Sequence, residues 1–418
     1  MVTSSIVRAT AMKLSNKHIL VGISGGIAAY KIPELIRSLV KAGAEVRVAT
    51  TPNALQFVTE LTLQTVSGSR VYSDVFAAVN EHATEHISLP EWCDMLLVAP
   101  ATANVLAKMA AGIADDALTT TIASCVARKP VVVAPAMNDK MWESPATQNA
   151  INTIRQWPNV RVLEPVEGPL ACGVVGKGRM PEIDQLQEAV TYALTPQTMS
   201  GKRVLITAGG TQEKIDPVRF ISNYSSGKMG FALAQACARR GAEVTLVCGA
   251  VSASFCNPFG CIRRIDALSA KEMYQACMAE WPQADIAILC AAVADFAPAE
   301  QASEKIKKCE NEKMGKCEMS LRLTLTPDIA KALGESKQAG QRLIGFALET
   351  EHEKENALRK LERKHMDAIV LNSLRDAGAG FAVETNQVTV LLHTGNSFEL
   401  PLQSKSSIAE GILSALGL

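Results

Sequence analysis

The residues able to do chemistry stand in short polar stretches that follow apolar runs. Asn223-Tyr224-Ser225-Ser226-Gly227-Lys228-Met229-Gly230 sets hydroxyls, glycines and one cation at the start of a segment with helical apolar spacing. Free N–H groups and the dipole of a helix N-terminus favour an anion there, although the same residues also serve as a capped helix behind a polar loop. The stretch is not a Walker A loop, which needs four residues between its first glycine and Gly-Lys-Ser/Thr. His86 has a side chain whose ordinary pKa, about 6.5, suits proton transfer at neutral pH; a lone histidine is more often structural. Asn138 ends an apolar run, where turn asparagines are common. Cys172 is flanked by Gly173, Gly176 and Gly178, and a glycine-rich segment can move as a lid, whereas an inert buried thiol is the default for the other cysteines. Lys360 and Lys364 are four residues apart and share a helical face, as salt-bridging residues also do. Lys305 belongs to a lysine run, ordinarily a solvated surface.

These residues need strands and helices to hold them. Lys202 to Thr207 read as a buried strand ended by Gly209-Gly210, Met229 to Arg240 as a helix closed by Gly241, and Glu243 to Val247 as the next strand. The first half has the same plan: a strand over His18 to Ser24, a helix over Ile27 to Lys41 and a strand over Glu45 to Thr50. The words Gly-Ala-Glu-Val recur at 43–46 and 241–244, so the plan is used twice, in two separate α/β units. Further strands are expected over Asp94 to Ala99, Pro130 to Ala134, the segment after Ala284 and Asp367 to Asn372, with a hairpin around Thr394-Gly395-Asn396. The predicted class is α/β, with two Rossmann-like domains. Each is a parallel sheet flanked by helices; the family resemblance given below implies that the first is flavodoxin-like and the second nucleotide-binding. Open parallel sheets bind ligands beyond the carboxyl ends of their strands. Ser24, Gly25, Thr51, Thr102 and Asn104 fall at such ends, although each also suits a cap or a turn. A dinucleotide fingerprint is missing: Ser24-Gly25-Gly26-Ile27 is not GxGxxG, and Thr50-Thr51 replaces the acid that would end the second strand. Hydroxyls and glycines suit a phosphate monoester, such as that of FMN, better than NAD.

Composition bounds the partners. The 418 residues suit two to three domains, and 48% hydrophobic content supplies their cores. Basic and acidic residues balance at 42 each, which gives no footprint for nucleic acid or an anionic membrane, and no apolar run is long enough to span a bilayer. The 11 cysteines lack CxxC spacing, which argues against structural zinc and for a reduced, cytoplasmic protein. Residues 1–16 read as a disordered tail, with Met12 an alternative start, and 195–200 read as a linker between domains at 17–194 and 201–418.

The second half resembles phosphopantothenoylcysteine synthetase, the CTP-dependent ligase of coenzyme A biosynthesis, in Ile206-Thr207-Ala208-Gly209-Gly210-Thr211, Asp216-Pro217-Val218-Arg219-Phe220 and Ile221 to Gly230. Gly210 and Gln212 depart from the family's wording. The first half resembles the flavin-dependent phosphopantothenoylcysteine decarboxylases of the homo-oligomeric flavin cysteine decarboxylase superfamily. Ser24 to Lys31, His86 to Asn104, Pro135 to Trp142 and Ala171 to Met180 carry that likeness in order. Together the two cover essentially the whole chain beyond the tail, in the order of the bacterial bifunctional family.

The resemblance implies two reactions. The ligase half would activate 4'-phosphopantothenate with CTP as an acyl-cytidylate, with Mg²⁺ (or Mn²⁺) on the triphosphate, and cysteine's amine would attack. The decarboxylase half would use FMN to oxidise the new thiol, so that CO₂ leaves easily, and then reduce the product to 4'-phosphopantetheine. His86 matches the catalytic histidine and Asn138 the holder of the carboxylate, which an amide orients without adding charge. Cys172 matches the donor of the last proton, and Asn223 the residue that handles the acyl-cytidylate. Ala291, Ala292, Val293, Asp295, Lys305, Pro327, Asp328, Ile329, Ala330, Phe346, Lys360 and Lys364 match positions that meet CTP. No residues are singled out as metal ligands. A homo-oligomer through both domains is implied, with no nucleic-acid or membrane partner. The alternative from another class is a non-catalytic FMN-binding regulatory subunit, which intact His86, Asn138 and Cys172 argue against.

Overall fold

The computed structural model describes residues 4–6, 14–76, 85–169, 175–251, 255–307, 319–349, 351–373 and 383–418. The chain divides into two compact units, one of residues 12–196 with 256–260 and one of 1–11 with 197–255 and 261–418.

The first unit is built on a six-stranded parallel sheet. In spatial order its strands are Val71–Tyr72, Glu45–Thr50, His18–Ile23, Met95–Ala101, Val131–Pro135 and Val160–Val162. Counted along the chain this is the Rossmann order 3-2-1-4-5-6, whose switch point lies between His18–Ile23 and Met95–Ala101. Met95–Ala101 is apolar throughout because both faces of the sheet are covered. Met95, Leu97 and Ala99 enter one core, with the helices Ile32–Lys41 and Ile183–Leu194. Leu96, Val98 and Ala101 enter the other, with Ala103–Ala111, Ala117–Cys125 and Pro145–Arg155. The helix expected over Ile27 to Lys41 is a 3₁₀ turn, Ile27–Lys31, followed by the α-helix Ile32–Lys41. Pro33 is tolerated in the first turn of the latter, where its missing N–H would have had no helical partner.

The second unit repeats that order. Ile262–Asp266, Glu243–Cys248, Arg203–Ala208, Ile286–Leu289, Arg342–Glu349 and Ala368–Ser373 lie parallel, again 3-2-1-4-5-6 along the chain. The all-parallel expectation is corrected beyond them. Thr385–Leu392 pairs antiparallel with Ala368–Ser373, and Ser397–Ser404 pairs antiparallel with Thr385–Leu392, because the tight turn at 393–396 that joins the last two cannot make the crossover that parallel strands require. The loop before Lys228–Arg239 also contains a small antiparallel pair, Gln212–Lys214 with Phe220–Ser222.

The tail and linker expectations are corrected at particular residues. Ser4–Ile6 lie parallel to Ser397–Glu399 on the sheet's edge, where unpaired backbone groups accept an extended segment. Leu14 is buried in the first unit's core. Met199 is buried in the second unit, its N–H donating to the carbonyl of Arg240 at 2.8 Å, and the Gln197 amide donates to the carbonyl of Arg239 at 2.8 Å. Carbonyls at a helix C-terminus need such donors, so these linker residues cap Lys228–Arg239.

Gly230 is the close point between that helix and its strand. A Cβ at Gly230 would stand 2.5 Å from Ala208 Cβ and 3.2 Å from the Thr207 carbonyl oxygen. Overpacking of this kind costs about 1–3 kcal/mol. Gly230→Val is therefore expected to lower the melting temperature of the second unit and leave that of the first in place, as read by differential scanning calorimetry.

Among the described residues eight cysteines are free, five of them buried. Burial pushes the Cys237, Cys277 and Cys290 thiols up to about 12, which keeps them protonated.

Candidate active sites

In the first unit the loops at the carboxyl ends of the central strands enclose a cleft of about 1100 Å³. Ser24, Gly25, Thr51, Thr102, Asn104 and Asn138 all line it. Their roles differ. The Ser24 hydroxyl donates to the Pro100 carbonyl at 2.7 Å and accepts from the Thr102 N–H at 3.0 Å, so it stitches the two switch-point loops together. Thr102 caps Ala103–Ala111. Gly25 has no room for a side chain, since a Cβ would stand 2.5 Å from Asn53 Cβ. The buried Thr50 and Thr51 hydroxyls have no hydrogen-bond partner among the described residues; Thr51 lines the cleft and Thr50 does not, so the orphaned hydroxyl that calls for a ligand there is that of Thr51. Asn138 caps the short helix Asp139–Glu143, its Oδ1 accepting from the Lys140 N–H at 3.0 Å.

The glycine-rich segment borders the same cleft. Val166–Pro169 and Val175–Arg179 pair antiparallel, and the Met137 N–H donates to the Gly178 carbonyl at 2.9 Å, next to Asn138. Gly178, Arg179 and Met180 line the cleft, while Cys172 lies outside the described residues. His86, in the first turn of Glu85–Trp92, is not among the lining residues; its Nδ1 is buried with no partner among the described residues. The sequence reading missed the cleft's cations. Lys31 and Arg179 share the Glu182 carboxylate at 3.0 and 2.7 Å, and Lys108 pairs with Asp115 at 2.6 Å. Ile27, Tyr30 and Met141 add an exposed apolar wall. The signal for two of these residues was proximity: Tyr30 and Lys31 follow the first strand's glycine turn after only Ile27, Ala28 and Ala29.

In the second unit the switch point lies between Arg203–Ala208 and Ile286–Leu289. Asn223 Nδ2 donates there to the carbonyl oxygens of Ala292, at 3.1 Å, and Val293, at 3.4 Å. Gly209 takes φ +83° and Gly227 φ +80°, the left-handed region that glycine tolerates, and each packs on Val251. The Thr326 N–H donates to the Asp295 carbonyl at 3.0 Å, which brings Pro327, Asp328, Ile329 and Ala330 beside the Ala291–Asp295 turn. Asp328 caps Ile329–Glu335 and pairs with Lys364 at 2.9 Å; Lys364 and the Lys331 N–H draw its carboxyl below the usual range against its partial burial. Lys360 pairs with Glu349 at 2.5 Å, on the strand that carries Phe346. Lys228 pairs with Glu384. Lys305 is exposed, and the contacts around it run to Asp216 and Arg219 instead. No group of three or more His, Cys, Asp or Glu suited to a metal occurs among the described residues, and no helix there is long and apolar enough to cross a membrane.

Two doubly wound sheets, each with polar residues gathered at its switch point, define a two-domain α/β protein whose candidate sites lie where such sheets bind ligands. The Flavoprotein family matches residues 7–195, and the DNA/pantothenate metabolism flavoprotein C-terminal domain matches 199–417. The chain belongs to the family of bifunctional coenzyme A biosynthesis proteins. It is 44% identical over 403 residues to the coenzyme A biosynthesis bifunctional protein CoaBC of Bacillus subtilis (strain 168), covering 96% of each chain. It is 41% identical over 403 residues to the protein of that name in Escherichia coli (strain K12), covering 96% of this chain and 97% of the other. A crystal structure of the C-terminal domain of a CoaBC protein shares 38% identity, covers 53% of this chain and 96% of its own, and superposes with a TM-score of 0.43. The protein is thus an enzyme of coenzyme A biosynthesis, with phosphopantothenoylcysteine decarboxylase and phosphopantothenate–cysteine ligase activities. Nothing in these relatives favours a regulatory subunit.

Proposed function

We propose that the second unit consumes CTP with Mg²⁺ (or Mn²⁺) to join cysteine to 4'-phosphopantothenate, and that the first unit holds FMN and converts the product to 4'-phosphopantetheine. What supports the flavin placement is the gathering of Ser24, Gly25, Thr51, Thr102, Asn104 and Asn138 around one cleft, with the Thr51 hydroxyl unpartnered. FMN, when bound, supplies the hydride chemistry that makes carbon dioxide a good leaving group. The chain's own groups do the rest. Thr51 offers its hydroxyl to the phosphate, Ser24 fixes the loops, and Asn138 orients the substrate carboxylate. His86 moves the early proton, and Cys172 supplies the late one. In the second unit Asn223 steadies the acyl-cytidylate beside Ala291, Ala292, Val293 and Asp295. The turn Pro327 to Ala330 and Phe346 border the nucleotide, and Lys305, Lys360 and Lys364 meet its phosphates. Lys360 and Lys364 already pair with the Glu349 and Asp328 carboxylates, which lowers the side-chain entropy that binding would otherwise cost. The enzyme works as a cytoplasmic homo-oligomer with small-molecule partners.

The test is direct. The purified protein is expected to be yellow, to release pyrophosphate from CTP only with phosphopantothenate present, and to form phosphopantetheine once cysteine is added. A colourless protein, or equal pyrophosphate release from ATP and CTP, overturns the reading for the half concerned. The halves are also expected to separate. A chain beginning at Gln197, which keeps the contacts to Arg239 and Arg240, should ligate without flavin, and one ending at Pro196 should stay yellow and decarboxylate. Loss of each activity in its own soluble half would place the sites elsewhere.

A further inference from the structure

Asp216 is buried, yet it makes no contact with any residue assigned above to substrate. Its Oδ1 accepts from the Val218 and Arg219 N–H groups, both at 2.8 Å, which closes the turn before Phe220–Ser222. Its Oδ2 accepts from Arg219 Nε at 2.9 Å and Nη2 at 2.5 Å, and from the Ile306 N–H at 3.2 Å. The same Arg219 Nη2 donates to the Ile306 carbonyl at 2.8 Å. Ile306 is therefore gripped at both backbone groups, its N–H by the carboxylate and its C=O by the guanidinium. The neighbouring Ala302 N–H donates to the Ile215 carbonyl at 3.0 Å, so the grip has a second point four residues earlier.

The geometry points to Asp216 and Arg219 as positioning residues that fix the Lys305–Ile306 peptide and so aim the Lys305 ammonium. Lys305 is exposed, and an exposed lysine has about 2 kcal/mol of rotamer entropy to lose on binding. The clamp cannot freeze its side chain, but it removes the backbone's share of the disorder. A carboxylate holding several N–H donors and a guanidinium is a strong anchor, because charge-assisted hydrogen bonds are roughly twice as strong as neutral ones. The Arg219 guanidinium, with the backbone N–H groups, holds the Asp216 carboxyl well below the usual carboxylate range, so the clamp is ionised throughout the neutral range.

The functional half of this inference rests on the proposed contact of Lys305 with the nucleotide; the clamp itself does not. Trypsin separates the two, because it cleaves at the Lys305–Ile306 bond, whose N–H and following carbonyl are the groups held. On the full-length protein, with fragments read by mass spectrometry, Asp216→Asn and Arg219→Met are each expected to speed cleavage there by about tenfold or more, since losing even one charge-assisted hydrogen bond raises the open population by that order, and Arg219→Met removes three hydrogen bonds. The decarboxylase rate should be unchanged, and any fall in melting temperature should be smaller than would account for the faster cleavage. The CTP KM should rise by about tenfold with a smaller change in kcat. Asp216 is buried and its variant is the one at risk of misfolding; Arg219 is partly exposed, and Arg219→Met then decides. Wild-type cleavage in the folded variants, or cleavage that rises only in step with a fall in melting temperature, overturns the clamp. Faster cleavage with an unaltered CTP KM upholds the clamp and overturns the nucleotide role of Lys305.

Discussion

His86→Asn is expected to slow decarboxylation by about 10²–10⁴-fold, the contribution typical of a positioned proton-transfer group. Asparagine keeps a polar, hydrogen-bonding side chain but accepts no proton near neutral pH. The structure adds a control. The buried Nδ1 of His86 has no partner among the described residues, so the side chain makes no visible hydrogen bond there for the fold to lose. A structural histidine would give up about 1–3 kcal/mol on losing its bonds. The functional reading therefore expects an unchanged melting temperature beside a collapsed rate. Adding phosphopantothenoylcysteine under anaerobic conditions should leave the flavin absorbance oxidised. Cys172→Ser makes the contrast, because a hydroxyl is a far weaker acid than a thiol. Carbon dioxide should still leave and the flavin absorbance should bleach, with an oxidised enethiol appearing in place of phosphopantetheine by mass. Normal bleaching in His86→Asn removes His86 from the early step. Wild-type phosphopantetheine formation in Cys172→Ser removes the cysteine from the late one.

Strand ends were legible because two rules agree on them. A sheet buried on both faces demands continuous apolar strands such as Met95–Ala101, and the small polar residues that interrupt them mark the carboxyl edge where ligands bind. That is why Ser24, Thr51, Thr102 and Asn138 meet in one cleft although they span more than a hundred residues of chain. What each does was not legible. Nothing in the sequence says that the Ser24 hydroxyl is spent on Pro100 while the Thr51 hydroxyl is left unpaired. Nor does composition reveal that a carboxylate at Asp216 grips Ile306, ninety residues on, since side-chain pairing at that separation is decided by tertiary packing. The small pair Gln212–Lys214 and Phe220–Ser222 escaped for a different reason: three residues are too few to display an alternating pattern. The antiparallel end of the second sheet was half legible. Its hairpin turn announced itself at Gly395, and only the consequence for strand direction went undrawn.

Asn223→Asp is expected to slow ligation by about 10²–10³-fold, the range seen when a hydrogen-bond donor aimed at developing charge is lost. The wild-type amide donates from Nδ2 to the carbonyls of Ala292 and Val293, which ties the polar loop to the turn after Ile286–Leu289. Aspartate has no N–H to give. Its oxygens would face two carbonyl oxygens at about the same distances, and its charge would stand beside an acyl-cytidylate that is already anionic. The charge effect grows as the intermediate forms, so turnover should fall more than CTP binding weakens. Asn223→Ala separates them, because it removes the donor and adds no charge. It is expected to fall between wild type and Asn223→Asp in phosphopantothenoylcysteine formation, with pyrophosphate release followed in parallel. Asn223 is exposed, so neither variant should shift the melting temperature of the ligase half by more than a degree or so, consistent with the small cost of most surface substitutions. Equal losses in the two variants would show that the tie to Ala292 and Val293 matters and the added charge does not. Normal turnover in both would remove Asn223 from the site.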